Sequence, residues 1–147
     1  MPEGNEPMVD VIRSTMPFLL AGLWVTFKIS LITIFFGSFI GFVVGLARSE
    51  RIPVLSPVFG GYIHALRGTS FLVHLYVVYF LLPATNISWL ELEAFPAAII
   101  ALSLYTSTYV AEIVRAAIQA VPRGQREAAR SVGMTALQSL RHVVLPQ

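Results

Sequence analysis

Two long runs of uncharged, mostly apolar residues set the strongest constraint on how this chain can fold. Residues 29–47 and 94–111 contain no Asp, Glu, Lys or Arg, and as helices they would measure about 28 Å and about 27 Å. Each length is close to the ~30 Å hydrocarbon core of a bilayer. With 56% hydrophobic and 12% charged residues, a chain of 147 residues has too little interior to bury its apolar surface. The sequence therefore predicts an all-α integral membrane protein, built as a multi-span helical bundle.

The first run predicts a span over about residues 27–47. A cleavable signal peptide would begin with basic residues and carry an apolar stretch of about 7–15 residues, whereas this chain has three acidic residues among its first ten. We therefore expect residues 1–15 to form an external tail and residues 16–147 to belong to the membrane domain. Residues 16–27 are expected to lie along the membrane surface before the chain turns inward.

Two further spans are predicted downstream. The second uncharged run, residues 68–90, is interrupted by Pro83 and predicts a shorter span over residues 70–83. Apolar residues at helical spacing just before it, ending at Arg67, predict a short interfacial connector helix. The third run predicts a span over residues 94–113.

Arginine placement predicts the orientation of the spans, because basic residues near span ends favour the cytoplasmic side. The N-terminal tail holds one arginine, the next connecting segment three, the following segment none, and the segment after the third span five. In chain order these are Arg13; Arg48, Arg51 and Arg67; and Arg115, Arg123, Arg126, Arg130 and Arg141. The alternation predicts an N-terminus outside the cell and both arginine-bearing segments in the cytoplasm.

A stripe of glycines within the first span predicts a close helix contact. Gly37, Gly41 and Gly45 recur every four residues, a spacing that lets two helices approach closely. The stripe is read either as tight packing within this subunit, which is favoured, or as a seam between two subunits.

Polar side chains within the predicted spans admit two interpretations. His74 and the run Thr106, Ser107 and Thr108 either line a polar pathway or bond to neighbouring backbone as packed side chains. Glu112 and Arg115 lie one turn apart at the end of the third span, where we expect a structural ion pair. The chain has no cysteine and its three histidines are scattered, so no catalytic residue, metal site or cofactor site is predicted.

Residues 121–145 carry the most specific local signals. Pro122 should end the third helix, Gly133 stands where a left-handed C-cap would be, and Thr135 with Gln138 forms a capping-box pattern. The predicted result is helix, glycine turn, helix on the cytoplasmic surface. The apolar faces are predicted to contain Ala128, Ala129 and Val132 in the first helix and Leu137, Leu140, Val143 and Val144 in the second. Periodicity alone leaves two interpretations open. The hairpin either forms a rigid knob that docks into a groove of a partner protein, or it is a basic amphipathic hairpin that contacts anionic lipid.

The spacing of residues 127–146 resembles the EAA signature of ABC-importer permeases. The matching residues are Glu127, Ala128, Ala129, Gly133, Val143, Leu145 and Pro146. Val143 stands where the signature usually has isoleucine. Residues 66–71, 109–115 and 124–127 are similar to the branch that imports polar amino acids, and the resemblance extends from Leu20 onward. Ser70 and His74 depart from the proline and glutamine usual there.

This resemblance implies a type I transmembrane domain of a bacterial inner-membrane permease subunit for amino acids. It implies that the signature residues couple the pathway to ABC ATPase subunits, which hydrolyse ATP, so that the permease itself is not an enzyme. It further implies a second permease subunit and a periplasmic or lipoprotein solute-binding protein as partners, and no nucleic acid.

Family members have about five spans, so three spans indicate an incomplete domain, as a fragment or a natural truncation. The alternatives are a permease for an opine or a compatible solute, or a non-transporting scaffold if the chain is natively this short.

Overall fold

The computed structural model describes residues 6–50, 53–85 and 92–147, and every regular element in these ranges is helical. The prediction of an all-α chain is therefore confirmed. The elements are α1 (Glu6–Ser49), α2 (Leu55–Arg67), α3 (Phe71–Tyr76) continued by a π-helical turn (Val77–Leu81) and a 3-10 turn (Pro83–Thr85), α4 (Ala94–Ala120), α5 (Arg123–Ser131), and α6 (Ala136–Ser139) continued by a second π-helical turn (Leu140–Val144). Two helices, α1 and α4, are long and apolar enough to cross a membrane; α2 and the α3 segment, bent by 102°, together make a third candidate.

The first helix is longer than predicted. It runs without a break for 44 residues, so the prediction that residues 16–27 form a separate segment with a turn after it is wrong. Pro17 lies inside the helix and removes one backbone hydrogen bond, but the residues on both sides of it are strong enough helix formers to continue the helix. Most of the predicted tail, from Glu6 onward, is helical as well.

The glycine stripe of α1 packs against α4 of the same chain. A Cβ built on Gly41 would lie 2.6 Å from the Ser107 carbonyl oxygen, and one on Gly45 would lie 2.7 Å from that of Ala111. Both distances are far below a normal van der Waals contact, so the two backbones meet directly at this seam. Of the two readings of the stripe, the structure supports packing within the subunit.

The contacts along the seam show that α1 and α4 are parallel. Gly37 faces Thr106, and Gly45, two turns later, faces Val114. Because α1 and α4 run in the same direction, the chain between them must cross back along the length of the helix pair before α4 begins. The α3 segment makes this return, because Phe71 contacts the Tyr105 ring while the later part of the segment packs on Ala97 and Ala101. It occupies the position predicted for the span over residues 70–83.

Charged residues mark the two ends of the paired helices. At one end the Lys28 Nζ atom lies 5.8 Å from the centroid of the Phe95 ring. At the other end Arg48 contacts Glu112. Arg48 follows Lys28 by twenty positions, which correspond to about 30 Å of helix, the thickness of a bilayer core.

The connector helix α2 packs deeper than an interfacial helix would. Its Tyr62 hydroxyl donates a hydrogen bond of 2.9 Å to the Leu104 carbonyl oxygen. Ile63 is buried in a cluster with Val44 and Ala111. These partners lie between the charged ends of α1 and α4. Helix α2 therefore packs against the apolar part of the helix pair and does not lie only on the membrane surface.

Gly41→Leu should destabilise the protein by overfilling the α1–α4 seam. A leucine there meets a carbonyl oxygen and the Val110 side chain at under 3 Å, and overpacking of this kind costs about 1–3 kcal/mol or more. The matched control is Gly22→Leu on the same helix, where an added Cβ meets nothing within 4 Å. Thermal aggregation of detergent-purified protein, followed by size-exclusion fluorescence, should show a lower midpoint for Gly41→Leu alone. Equal midpoints for the two variants would contradict the seam.

Candidate functional site

The hairpin after α4 begins at a proline-directed break. Val121, the residue before Pro122, is extended with φ −65° and ψ 125°, because proline disfavours the helical conformation in the residue before it. Helix α5 then starts at Arg123. The chain therefore leaves the axis of α4 at the membrane boundary and starts a new helix.

The turn of the hairpin is held by a glycine in the left-handed conformation. Gly133 has φ 84°, which glycine adopts without the steric penalty of a side chain. Its N–H donates to the Arg130 carbonyl oxygen at 3.0 Å, and the Met134 N–H donates to that of Ala129 at 3.1 Å. This pair of bonds is a Schellman motif, so the predicted C-cap is confirmed.

The second helix of the hairpin starts with the predicted capping box. The Thr135 N–H donates to Gln138 Oε1 at 2.9 Å, and the Gln138 N–H donates to Thr135 Oγ1 at 3.3 Å. Each side chain satisfies a backbone donor that the helix end would otherwise leave free. The turn is thus defined on both sides by local hydrogen bonds, which makes it rigid.

The base of the hairpin is an apolar contact with both long helices. Leu140 and Val144 are buried together with Ile118 of α4. Leu46 of α1 and Val114 of α4 pack against the same cluster. The hairpin therefore rests on the ends of both helices that form the glycine seam.

The tip of the hairpin exposes two side chains of the predicted apolar faces. Leu137 and Val132 are each 73% exposed. Val132 is the C-cap residue with φ −90° and ψ 13°, already off the helical path. Leu137 lies before the π-helical turn, in which the Leu145 N–H donates to the Leu140 carbonyl oxygen, and the buried side chains of this half start at Ser139.

A charged cleft lies between the hairpin and the end of α1. Arg126 and Glu50 form an ion pair with 3.7 Å between Nη1 and Oε1. The cleft has a volume of about 250 Å³. Its lining includes Glu50, Arg123, Arg126, Glu127 and Arg130. The ion pair is a second attachment of the hairpin to α1.

The structure gathers the signature residues in this one hairpin. Glu127 and Ala128 are exposed on α5, Ala129 is buried, and Gly133 forms the turn. The remaining three lie at the end of the second half, which packs against α5: Val143 is half-buried, and Leu145 and Pro146 are exposed. A hairpin with a buried base and an exposed tip is a shape that a partner's groove can receive.

The hydroxyl run in α4 is used for packing. Ser107 and Thr108 are fully buried, and their hydroxyls donate to the Leu104 and Tyr105 carbonyl oxygens at 2.7 Å each. Thr106 faces the seam at Gly37. Of the two readings, the described contacts favour back-bonded packing over the lining of a pathway.

His74 lies in a small aromatic cluster beside the bend between α2 and α3. Its Nε2 atom is 2.9 Å from Thr69 Oγ1, and its ring centroid is 5.8 Å from that of Tyr105. The Tyr105 and Tyr109 hydroxyls are 2.9 Å apart, and Arg67 lies 4.8 Å over the Tyr109 ring. Tyr109 is 41% exposed, so this cluster leaves polar surface of α4 open to a ligand.

Glu112 contacts both Arg115 and Arg48. Arg115 Nη2 and Nε lie 3.0 Å and 3.1 Å from Glu112 Oε2, and Arg48 binds the other carboxylate oxygen. The sequence predicted the ion pair between Glu112 and Arg115 but not the contact of Arg48 with the same carboxylate. The available signal was that Arg48 and Glu112 are each the first charge after a long apolar run.

Comparisons with known proteins agree on one family. Residues 37–147 match the model for "Binding-protein-dependent transport system inner membrane component". The L-cystine transport system permease protein TcyB of Bacillus subtilis is 39% identical over 137 residues, which are 93% of this chain and 57% of TcyB. The arginine transport system permease protein ArtQ of the same organism is 35% identical over 132 residues, 90% of this chain and 59% of ArtQ.

Two solved structures have the same fold. One, a crystal structure of an amino acid ABC transporter with histidines, has a TM-score of 0.82 and 37% identity, over 95% of this chain and 63% of that one. The MetNI methionine ABC transporter in inward-facing conformations has a TM-score of 0.74 and 27% identity, over 91% of this chain and 64% of that one. The chain thus spans less than two thirds of the length of these relatives. With its EAA spacing, its parallel spans and its capped hairpin, the chain belongs to the family of binding-protein-dependent transport system inner membrane components.

Proposed function

We propose that this chain is part of the permease subunit of an ATP-driven amino-acid importer in the bacterial inner membrane. The observation that carries the proposal is the hairpin over residues 121–145, whose base is buried against α1 and α4 while its tip is exposed. The relatives named as cystine and arginine permeases support the substrate class. Family membership supports a role in transport rather than in catalysis.

In this proposal the hairpin tip docks into a groove of a cytoplasmic ABC ATPase subunit. Val132 and Leu137 supply the apolar contact, and the exposed Glu127 supplies a carboxylate beside it. A second permease subunit completes the translocation pathway, and a solute-binding protein delivers the amino acid from the opposite side of the membrane. ATP is hydrolysed by the separate ATPase, and this subunit makes and breaks no covalent bond.

The proposed orientation places the N-terminus outside and the hairpin in the cytoplasm. The parallel arrangement of α1 and α4 supports it, since their charged ends at Arg48 and Glu112 meet on one side. The hairpin with its further arginines leaves from that same side. Positive charge near span ends favours the cytoplasm.

The hairpin is built to transmit motion to the spans. Its base contacts Leu46 of α1 and Ile118 of α4 together, and Arg126 holds Glu50 at the end of α1. Because the glycine seam joins α1 and α4 backbone to backbone, a push on the tip moves both helices as one body. Rearrangement of the ATPases on binding ATP would thereby reach the translocation pathway.

Gly133→Val should uncouple ATP hydrolysis from uptake. A β-branched residue at φ 84° is strained by about 1–3 kcal/mol, so the turn will open or distort. We expect uptake to fall by roughly tenfold or more in proteoliposomes containing the ATPase and the binding protein. The control is Gly124→Val on α5, where an added Cβ meets nothing within 4 Å. Full coupled uptake by Gly133→Val would refute the role of the turn.

Leu137→Asp should weaken the hold of the ATPase on the permease. The Leu137 side chain is 73% exposed, so the fold tolerates a charge at this position. On docking, however, the new carboxylate would have to lose its water, which costs free energy. Co-purification of the ATPase with the tagged permease reports the effect. Gln125→Asp, the same charge change on an exposed residue at the start of α5, should retain the ATPase. Equal recovery with both variants would argue against docking at the tip.

The orientation can be read with single cysteines, because the chain contains none. Ser14→Cys near the N-terminus should react with a membrane-impermeant maleimide added to intact cells. Ser131→Cys on the hairpin should react only after the cells are opened. The reverse pattern would overturn the proposed orientation and the docking of a cytoplasmic ATPase together.

A further inference from the structure

Two arginines bind one carboxylate where α1 and α4 meet at Arg48 and Glu112, and a third arginine lines the cavity beside them. Arg48 and Arg115 both bind Glu112, and Arg67 reaches the same place from the end of α2. Between them lies a cavity of about 510 Å³. Its lining consists of Arg48, Ile63, His64, Arg67, Gly68, Glu112 and Arg115.

The charge inside this cavity is not balanced. Three guanidinium groups against one carboxylate give a formal charge of +2 with His64 neutral. The Arg48 side chain is only 15% exposed, so its charge is partly desolvated. Excess positive charge in such a setting is costly unless an anion joins it. The site is therefore electrostatically incomplete in the chain as described.

The position of the cavity identifies the kind of anion. Arg48 and Glu112 end the apolar runs of α1 and α4, so the cavity lies at the depth of the lipid headgroups. The neighbouring surface of α4 carries an open apolar side chain, Ile113, which is 67% exposed. A soluble anion uses only the charged half of this surface, whereas a phospholipid uses both halves, with its phosphate among the arginines and its acyl chains along α4.

We propose that this cavity binds the headgroup of an anionic phospholipid. Arginines suit the task, because the guanidinium fork bonds two phosphate oxygens at once. Basic pockets between helices at the cytoplasmic surface bind anionic headgroups in this way. Only the assignment to the cytoplasmic leaflet rests on the orientation proposed above; the binding itself does not depend on transport.

The test is lipid binding to the purified protein, measured by native mass spectrometry. The wild type, titrated with phosphatidylglycerol or with phosphatidylethanolamine, should retain the anionic lipid preferentially. Arg67→Gln removes the arginine that is outside the Glu112 ion pairs and should lower the apparent affinity for phosphatidylglycerol by about fivefold. Arg67→Lys should recover most of that loss. Arg141→Gln, an exposed arginine of the hairpin outside the cavity, is the control of equal charge and should bind as the wild type does.

Three results would overturn the proposal. One is equal binding of the two lipids by the wild type. Another is an Arg67→Gln variant that binds phosphatidylglycerol as tightly as the Arg141→Gln control. The third is displacement of phosphatidylglycerol by inorganic phosphate or glycerol phosphate at equal concentration, which would assign the cavity to a soluble anion. A transport assay is not needed, so failure here is distinguishable from failure of the importer proposal.

Discussion

The direct backbone contact between α1 and α4 is the constraint on which the rest of the structure depends. In lipid, apolar burial gives little drive for helices to associate, because the lipid tails are as apolar as the side chains. Close van der Waals packing is then a main source of attraction, and small residues allow the backbones to come closest. Gly37, Gly41 and Gly45 leave that space to Thr106, the Ser107 backbone and Val114. The seam thereby fixes both the direction and the register of the two helices.

The register at the seam brings the ion cluster and the hairpin base together at the same end of the helix pair. Since α1 and α4 run parallel, their apolar runs end at one depth, and Arg48 meets Glu112 there. The same register brings Leu46 beside Val114 and Ile118, which forms the platform for the hairpin. A shift of one turn would separate the ion cluster and divide the platform. The arginine cavity and the hairpin base are thus two consequences of one packing contact.

The features predicted correctly from sequence are those that local chemistry decides. The left-handed Gly133 and the Thr135–Gln138 box depend on a few neighbouring residues, and both are present. The failures depend on more distant structure. Arg48 finds Glu112 only through the register of helices 64 positions apart. Leu137 and Leu140 share a predicted face, yet Leu137 is exposed and Leu140 is buried, because the hairpin packs on Ile118 of α4 through its base and not through its tip.

The two attachments of the hairpin differ in strength, and this decides how it can act as a lever. The Arg126–Glu50 ion pair is about one third exposed on each side, and such pairs contribute about 0–1 kcal/mol. Burial of a side chain such as Leu140 or Val144 contributes about 1.5–3 kcal/mol. The apolar base, which contacts Leu46 of α1 as well as Ile118 of α4, is therefore the stronger attachment. In the proposed importer this base would pass a push on the hairpin to both helices, while the ion pair could break and re-form.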